Sequence, residues 1–247
     1  MPHTEARMIL EQRFGAAQVA IRATDDLLIR VRGTHFGSVD ALRSDIFQIT
    51  WQLISQKNAV GSLVNLLNSL LIALDPIDAV ETAQQTVVDV VMTFRTQLNQ
   101  RVPDTAIQSM SVLTQCHTVM LYGYSTTVLY ALQHALRNGQ RIDVICVAGD
   151  DRLAHLALVE RIAAIGLSVS ALDYDAATKA IHTVDAVVVG ADTLDVYGLT
   201  NTAGTAALAS QAYAAHIPVF SFCTSEKFLP TAFFHGELAS WQFADDA

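Results

Sequence analysis

The sequence has few charged residues, and those it has are mostly acidic. Charged side chains make up 16% of the 247 residues, and the formal net charge is −9. A typical soluble protein has roughly a quarter of its residues charged. The 15 lysines and arginines are scattered and form no local basic cluster. Such a chain lacks the positive surface that binds a phosphodiester backbone, so direct nucleic-acid binding is not expected.

Cysteine is scarce too. Cys116, Cys146 and Cys223 are far apart and show no C-x-x-C spacing, which argues against a disulfide framework and a structural zinc site. Cys146 and Cys223 fall in apolar, strand-like runs and are predicted to be ordinary core residues. The eight histidines never pair at i, i+4, and neither a P-loop nor a G-x-G-x-x-G after a strand occurs. No metal site and no cofactor are predicted.

Long apolar runs are missing, although 51% of the residues are hydrophobic. A membrane-spanning helix needs about 18 or more consecutive apolar residues, so no membrane segment is predicted. Residues 1–7 lack the apolar core of a signal peptide, and we therefore expect a cytoplasmic protein. An apolar surplus without a membrane segment predicts an interface between copies, hence a homo-oligomer, either a dimer or larger.

The first part of the chain carries helical periodicity. Helices are predicted over residues 8–32, 39–56 and 63–74. Pro76 is predicted to begin a long helix that ends near Asn99. A break is expected at residues 101–104, which include Pro103, and Asp104 is expected to cap a further helix. These elements predict an all-helical N-terminal domain over residues 1–115.

From Thr118 onwards, short apolar runs alternate with helical stretches, which is typical of βαβ units and a mostly parallel sheet. Strands are predicted over residues 118–122, 142–147, 167–172, 186–189 and 219–222. The predicted fold class is therefore α/β. An all-helical domain is followed, over residues 116–247, by a Rossmann-like, mostly parallel sheet flanked by helices.

Three polar loops follow predicted strands and precede predicted helices, where open α/β sheets bind ligands. The first holds Ser125 and Thr126, whose hydroxyls can bind a phosphate or simply cap the next helix. The second loop holds Asp150 and Arg152. The third is a polar loop from residue 192 to 205, in which Asp192 can serve as a general base, bind sugar hydroxyls or cap its own loop.

The third loop and its surroundings carry a family resemblance. The segment V-V-V-G-A-D ends at Asp192, N-T-A-G-T covers residues 201–205, and H-I-P-V-F and K-F follow at residues 216–220 and 227–228. This pattern resembles the superfamily of the alpha, beta and delta subunits of translation initiation factor 2B and the methylthioribose-1-phosphate and ribose-1,5-bisphosphate isomerases. The turn L-Y-G-Y-S, ending at Ser125, and the helical front half are also similar to this family, so the resemblance covers most of the chain.

The resemblance implies a pocket for a small phosphorylated ligand, either a sugar phosphate or a nucleotide. The positions implied to line it are Lys57, Gly123, Tyr124, Ser125, Thr126, Asp150, Arg152, Asp192, Asn201, Thr202, Gly204, Thr205 and Lys227.

Three departures from the isomerase pattern bear on catalysis. The catalytic Cys of the isomerases corresponds to Gly123, the Lys of their N-K-x-G-T motif corresponds to Thr202, and their phosphate-binding Arg corresponds to Lys57, which keeps the charge without the bidentate geometry. The Gly-Tyr-Ser turn is closer to that of the initiation-factor subunits.

Two functions that involve a ligand therefore remain open, beside a third alternative, a purely structural assembly subunit with an empty pocket. The first is a non-catalytic or diverged ligand-binding subunit that assembles into oligomers. The second is an aldose–ketose isomerase of the ribose-1,5-bisphosphate or methylthioribose-1-phosphate type. In that case Asp192 would be catalytic, together with another acid such as Asp150 or Asp195.

Overall fold

The computed structural model describes residues 16–55 and 60–229. Its first part is helical, as predicted, and consists of α1 (Ala16–Gly33), α2 (Val39–Ser55), α3 (Val60–Leu74) and α4 (Val80–Leu113). The apolar faces of these helices meet in one core, where leucines such as Leu27 and Leu66 are fully buried. Within the described residues, no helix has both the length and the apolar character needed to cross a membrane.

Helix α4 is continuous where the sequence predicted a break. It begins at Val80 rather than at Pro76 and passes through Pro103, so the predicted start, the break at residues 101–104 and the cap at Asp104 are all wrong. A proline inside a helix removes one backbone hydrogen bond and costs about 3 kcal/mol. Both halves of α4 are buried, however: residues such as Val87 lie in the helical core, and Leu113 lies against the sheet. Tertiary packing therefore outweighs the local helix breaker.

The second part of the chain is the predicted α/β unit. Its elements are β1 (Thr118–Tyr122), α5 (Thr126–Arg137), β2 (Asp143–Val147), α6 (Arg152–Ile165), β3 (Val169–Leu172), α7 (Tyr174–Ala180), β4 (Ala186–Val189), β5 (Thr193–Asp195), β6 (Gly198–Thr200), α8 (Thr205–Ala214) and β7 (Val219–Ser221). Short 3-10 turns occupy Ile181–Thr183 and Ser225–Lys227. The predicted fold class, helices followed by a parallel sheet with flanking helices, is confirmed.

Five strands form one parallel sheet in the order β3-β2-β1-β4-β7. The chain moves outwards from β1 to β3 and then crosses back to β4 on the other side of β1. Tyr122, the last residue of β1, lies opposite Val189, the last residue of β4. The loops that follow these two strands therefore leave the sheet side by side, and parallel sheets bind ligands at such a switch point.

Apolar layers cover both faces of the sheet. Val119 and Leu121 of β1 face one layer, and Met120 and Tyr122 face the other. Because the side chains of a strand alternate between faces, a strand buried on both sides must be apolar throughout. This explains the uninterrupted valine run of β4, in which every residue is buried.

The segment from residue 192 to 205, predicted as a polar loop, contains a small antiparallel hairpin formed by β5 and β6. An Asx-turn closes it: Oδ1 of Asp195 accepts hydrogen bonds from the backbone N–H groups of Tyr197 (2.8 Å) and Gly198 (3.1 Å). The exposed strand β6 has no apolar alternation that would have identified it from the sequence.

Candidate functional site

The loops after β1 and β4 touch directly at the switch point. A Cβ added at Gly190 would lie 2.7 Å from both Cβ and Oγ of Ser125, so only glycine fits between the two loops. The Ser125 hydroxyl accepts a hydrogen bond from the backbone N–H of Val128 at 3.4 Å and caps α5. Of the two roles considered for Ser125, the structure shows the capping role.

Gly123, which follows β1, packs against Thr202. The φ angle of Gly123 is +77°, and a Cβ built there would be 2.8 Å from Oγ1 and 3.3 Å from Cβ of Thr202. The amide nitrogen of Asn201 would be 3.7 Å away. The space that a side chain at position 123 would need is therefore filled from the opposite loop.

Tyr122 fixes this opposite loop onto the sheet. Its side chain is buried, and its hydroxyl donates a hydrogen bond to the carbonyl oxygen of Ala203 at 2.6 Å. The pKa of Tyr122 is raised, mainly by burial and further by the charge of Asp150. Gly204, with φ +92°, packs so closely that an added Cβ would be 2.2 Å from the Tyr122 hydroxyl oxygen.

The loop continues into α8 through a short hydrogen-bonded chain. The side-chain amide of Asn201 donates to Oγ1 of Thr205 at 3.1 Å, and that hydroxyl donates to the carbonyl oxygen of Thr202 at 2.6 Å. No side chain caps the first turn of α8, because its N-cap residue is Gly204. The loop thus has a fixed shape. The N–H of Thr205 donates to the carbonyl oxygen of Thr202 at 3.1 Å, and the N–H groups that follow it in the first turn of α8 keep their capacity to bind an acceptor.

An acid and a lysine lie together beyond the end of β4. Burial raises the pKa of the half-buried Asp192, while the charge of Lys227 lowers it. Lys227 is only 2% exposed, and its Nζ donates a hydrogen bond to the carbonyl oxygen of Ala191 at 2.6 Å. Burial lowers the pKa of Lys227, and the charges of Asp192 and then Glu226 oppose this. Among the described residues, no other protein atom accepts a hydrogen bond from Nζ, so two of its N–H donors are left for water or a ligand.

The helical part of the chain holds the segment that carries Lys227. The side-chain amide of Asn65, on α3, donates to the carbonyl oxygens of Glu226 (2.7 Å) and Phe228 (2.8 Å). The N–H of Gly61, in the first turn of α3, donates to Oγ1 of Thr193 at 3.0 Å. The buried lysine is therefore positioned by α3 as well as by the sheet.

The remaining predicted positions are spread around this centre. Asp150 and Arg152 are exposed at the start of α6. Tyr124 packs against an apolar layer of the sheet, and Thr126 is the first residue of α5. Lys57 lies outside the described residues.

Two residues behave differently from the sequence-based expectation. Cys223, predicted to be an ordinary core residue, is only half-buried and lies close enough to Lys227 for the lysine charge to lower its pKa, although burial raises that pKa more strongly. Asp195, considered as a second acid, has its carboxylate engaged in the turn of the hairpin.

Sequence reasoning missed two residues of the site, Tyr122 and Glu226. Tyr122 ends an apolar strand and is indistinguishable in the sequence from an ordinary core tyrosine. Its two glycine neighbours in space, Gly149 and Gly204, are far from it along the chain. Glu226 directly precedes the predicted Lys227, but a lone glutamate beside a lysine usually marks a solvated surface.

Helices followed by a Rossmann-like parallel sheet, with an acid and a buried lysine at the switch point, place the chain in the class of α/β proteins with an open parallel sheet. The chain belongs to the Initiation factor 2 subunit family, whose profile matches residues 12–241. The resemblance found in the sequence is thereby confirmed.

Two curated relatives are both named ribose 1,5-bisphosphate isomerase. The one from Archaeoglobus fulgidus is 34% identical over 123 residues, which cover 49% of this chain and 39% of that protein. The one from Haloferax volcanii is 25% identical over 217 residues, which cover 87% of this chain and 67% of that protein. The chain thus matches well under half the length of the first relative and two thirds of the second.

Solved structures show the same fold. The Pyrococcus horikoshii OT3 translation initiation factor eIF-2B superposes with a TM-score of 0.76 at 18% identity, covering 88% of this chain and 77% of that one. A chain of the tetrameric eIF2B-beta2-delta2 complex from C. thermophilum superposes with a TM-score of 0.70 at 22% identity, covering 91% and 78%.

Proposed function

We propose that the pocket at the switch point binds a small phosphorylated ligand, a sugar phosphate or a nucleotide, and that the protein is a non-catalytic or diverged member of its family. The observation that carries this proposal is Lys227, a buried ammonium group with two N–H donors that no described protein atom accepts. Phosphate oxygens are strong acceptors for such donors, and the exclusion of water strengthens the attraction.

The groups around Lys227 fit the other parts of such a ligand. Asp192 offers a carboxylate that can accept hydrogen bonds from sugar hydroxyls. The start of α8, where no side chain caps the N–H groups that follow Thr205, offers backbone donors to an anion. A sugar phosphate has both kinds of groups within one small molecule.

Gly123 supports a binding role rather than turnover. Aldose–ketose isomerisation moves protons at two carbons, and each general acid or base contributes about 10²–10⁴ in rate. Position 123 has no side chain, and Thr202 fills the space beside it. One proton carrier at this end of the crevice is therefore missing.

A second candidate function is isomerisation of ribose 1,5-bisphosphate or methylthioribose 1-phosphate. Asp192 favours it, because burial raises the pKa of this carboxyl group and a carboxyl group with a raised pKa is suited to proton transfer. Both curated relatives are named as isomerases of ribose 1,5-bisphosphate. In this case Asp192 is catalytic and a second acid has to replace the side chain missing at Gly123.

Calorimetric titration with ribose 1,5-bisphosphate tests the binding proposal. We expect saturable binding to the wild type and a loss of affinity of about tenfold or more in Lys227→Met, because a charged hydrogen bond contributes about 1.5–3 kcal/mol. Lys179→Met is the matched control, since Lys179 is exposed on α7 and should leave the affinity unchanged.

Assay of the same mixtures for a ketose product separates the two functions. Binding without ketose supports the leading proposal, whereas ketose formation that disappears in Asp192→Asn supports the isomerase. If titrations with ribose 1,5-bisphosphate, methylthioribose 1-phosphate and nucleoside monophosphates all show no heat of binding, the ligand proposal is rejected.

The same proposal includes assembly of the chain into a homo-oligomer. The tip of the β5–β6 hairpin exposes Val196 by 56% and Tyr197 by 89%, and Phe228, which pairs with Leu194 of β5, is half exposed. Apolar side chains grouped in this way are typical of protein interfaces. The C. thermophilum neighbour is described as a tetrameric complex, which supports the proposal.

Light scattering coupled to gel filtration tests the assembly. We expect the wild type to elute as a dimer or larger species and Tyr197→Asp to lower its mass, because a carboxylate buried in an apolar interface is unfavourable. Tyr213→Asp is the control, since Tyr213 is 84% exposed on α8, away from the hairpin. A monomeric wild type at micromolar concentration contradicts the assembly proposal.

A further inference from the structure

Glu226 is a buried carboxylate next to the lysine of the pocket. It is 4% exposed and precedes Lys227 in the same 3-10 turn. Its Oε1 accepts a hydrogen bond from the Thr224 hydroxyl. Its Oε2 lies 3.7 Å from Nη1 of Arg101, on α4, and has no hydrogen-bond partner among the described residues. An ion pair therefore links the long helix α4 to the turn that carries Lys227.

The backbone hydrogen bonds of the turn do not use the Glu226 carboxylate. The backbone of the turn is already held by Asn65, which donates hydrogen bonds to the carbonyl oxygens of Glu226 and Phe228. Removing a carboxylate from water costs several kcal/mol unless a partner compensates, and a contact of 3.7 Å without a hydrogen bond compensates poorly. The negative charge of Glu226 stabilises the charged form of the buried Lys227.

We propose that Glu226 is a positioning residue of the pocket: anchored by Arg101 and Thr224, it places a fixed negative charge beside Lys227 and keeps that ammonium group charged for the ligand. The inference rests on the proposed binding function. It gives the helical part of the chain a role in the site, because α4 supplies the arginine and α3 holds the turn.

The groups that face Lys227 determine the expected pH dependence. Burial lowers its pKa, while Asp192, Glu226 and, more weakly, Cys223 raise it. The contacts from α3, at Gly61 and Asn65, are neutral. Replacing Glu226 by glutamine removes one raising charge, so the pKa of Lys227 should fall further below its ordinary value. The ammonium is then lost at a lower pH than in the wild type.

Lysine NMR measures this directly in the ligand-free protein. The chain has only three lysines, so ¹³C-lysine labelling gives three side-chain signals, and Lys57→Arg and Lys179→Arg assign the third to Lys227. We expect Glu226→Gln to move the Lys227 titration to lower pH. Glu160→Gln, which neutralises an exposed carboxylate on α6, should leave it in place.

Arg101→Gln separates this electrostatic role from a structural one. It removes the positive charge that offsets the Glu226 carboxylate, so the Lys227 titration should move to higher pH. A residue that only supports the fold would give the same small change, or none, in both variants. Opposite shifts in Glu226→Gln and Arg101→Gln therefore support the proposal, and shifts in the same direction or no shift in Glu226→Gln overturn it.

A binding experiment links the charge to the ligand. The affinity for ribose 1,5-bisphosphate should begin to fall at a lower pH in Glu226→Gln than in the wild type, because the ammonium group is lost earlier. If the NMR shifts occur but ribose 1,5-bisphosphate, methylthioribose 1-phosphate and nucleoside monophosphates all fail to bind, the proposed function fails while the role of Glu226 stands. If the wild type binds but the Glu226→Gln titration does not move, the role of Glu226 fails alone.

Discussion

Gly204→Ala should lower the free energy of unfolding by about 3 kcal/mol, because two penalties add. Its φ of +92° costs a residue with a Cβ about 1–2 kcal/mol, and overpacking typically costs about 1–3 kcal/mol. The new Cβ would lie 2.2 Å from the hydroxyl oxygen of Tyr122, a buried side chain that already bonds to Ala203 and has little room to move. Urea denaturation followed by circular dichroism measures the change.

Two further variants separate the two penalties. Gly139→Ala has a similar φ, +85°, with no atom within 4 Å of the new Cβ, so it should show the backbone penalty alone. In Tyr122→Phe/Gly204→Ala the nearest remaining atom is Cζ at 3.0 Å, and the loss should be smaller than the sum of the two single losses. If Gly204→Ala is no worse than Gly139→Ala, the close approach of Tyr122 is not important for stability.

Gly61→Ala should be the next most harmful change, and it should affect the pocket as well as stability. The added Cβ would be 2.6 Å from the backbone carbonyl oxygen of Lys227, and backbone cannot turn away as a side chain can. Alanine favours a helix by up to about 1 kcal/mol over glycine. Overpacking costs about 1–3 kcal/mol, so we expect a net loss. The Lys227 segment must shift, and the affinity for ribose 1,5-bisphosphate should fall with it.

Gly37→Ala is the control, because an added Cβ there meets nothing within 4 Å. Denaturation and calorimetric titration of both variants give the comparison. If Gly61→Ala is as stable as Gly37→Ala and binds the same ligand equally well, α3 does not position the lysine.

The fold could be predicted from the sequence because its main signals are local. The valine run of β4 is continuous since both faces of the strand are buried, and Gly139 marks the end of α5 because it follows the helix with a φ of +85°. The prediction of a helix break at Pro103 was wrong for the opposite reason, because the deciding contacts are not local. A proline is a local helix breaker, whereas the contacts that keep α4 continuous through it come from two different cores.

The candidate site was only partly predictable. Asp192 and Lys227 stand in a motif, so the sequence identified both. The role of Glu226 depends on Arg101, which lies 125 positions earlier in the chain (226 − 101). The contact of Tyr122 with Ala203 and Gly204 likewise joins distant segments. Such contacts are determined by the tertiary fold, and they cannot be predicted from a single sequence.

The contact between Gly123 and Thr202 couples two positions that lie far apart in the chain. A side chain introduced at position 123 alone would place its Cβ 2.8 Å from the Thr202 hydroxyl oxygen, in a backbone conformation with φ +77°. Thr202 would have to shift to make room, whereas a smaller residue at position 202 removes this contact. An engineered proton carrier at position 123 therefore calls for changes at both positions together.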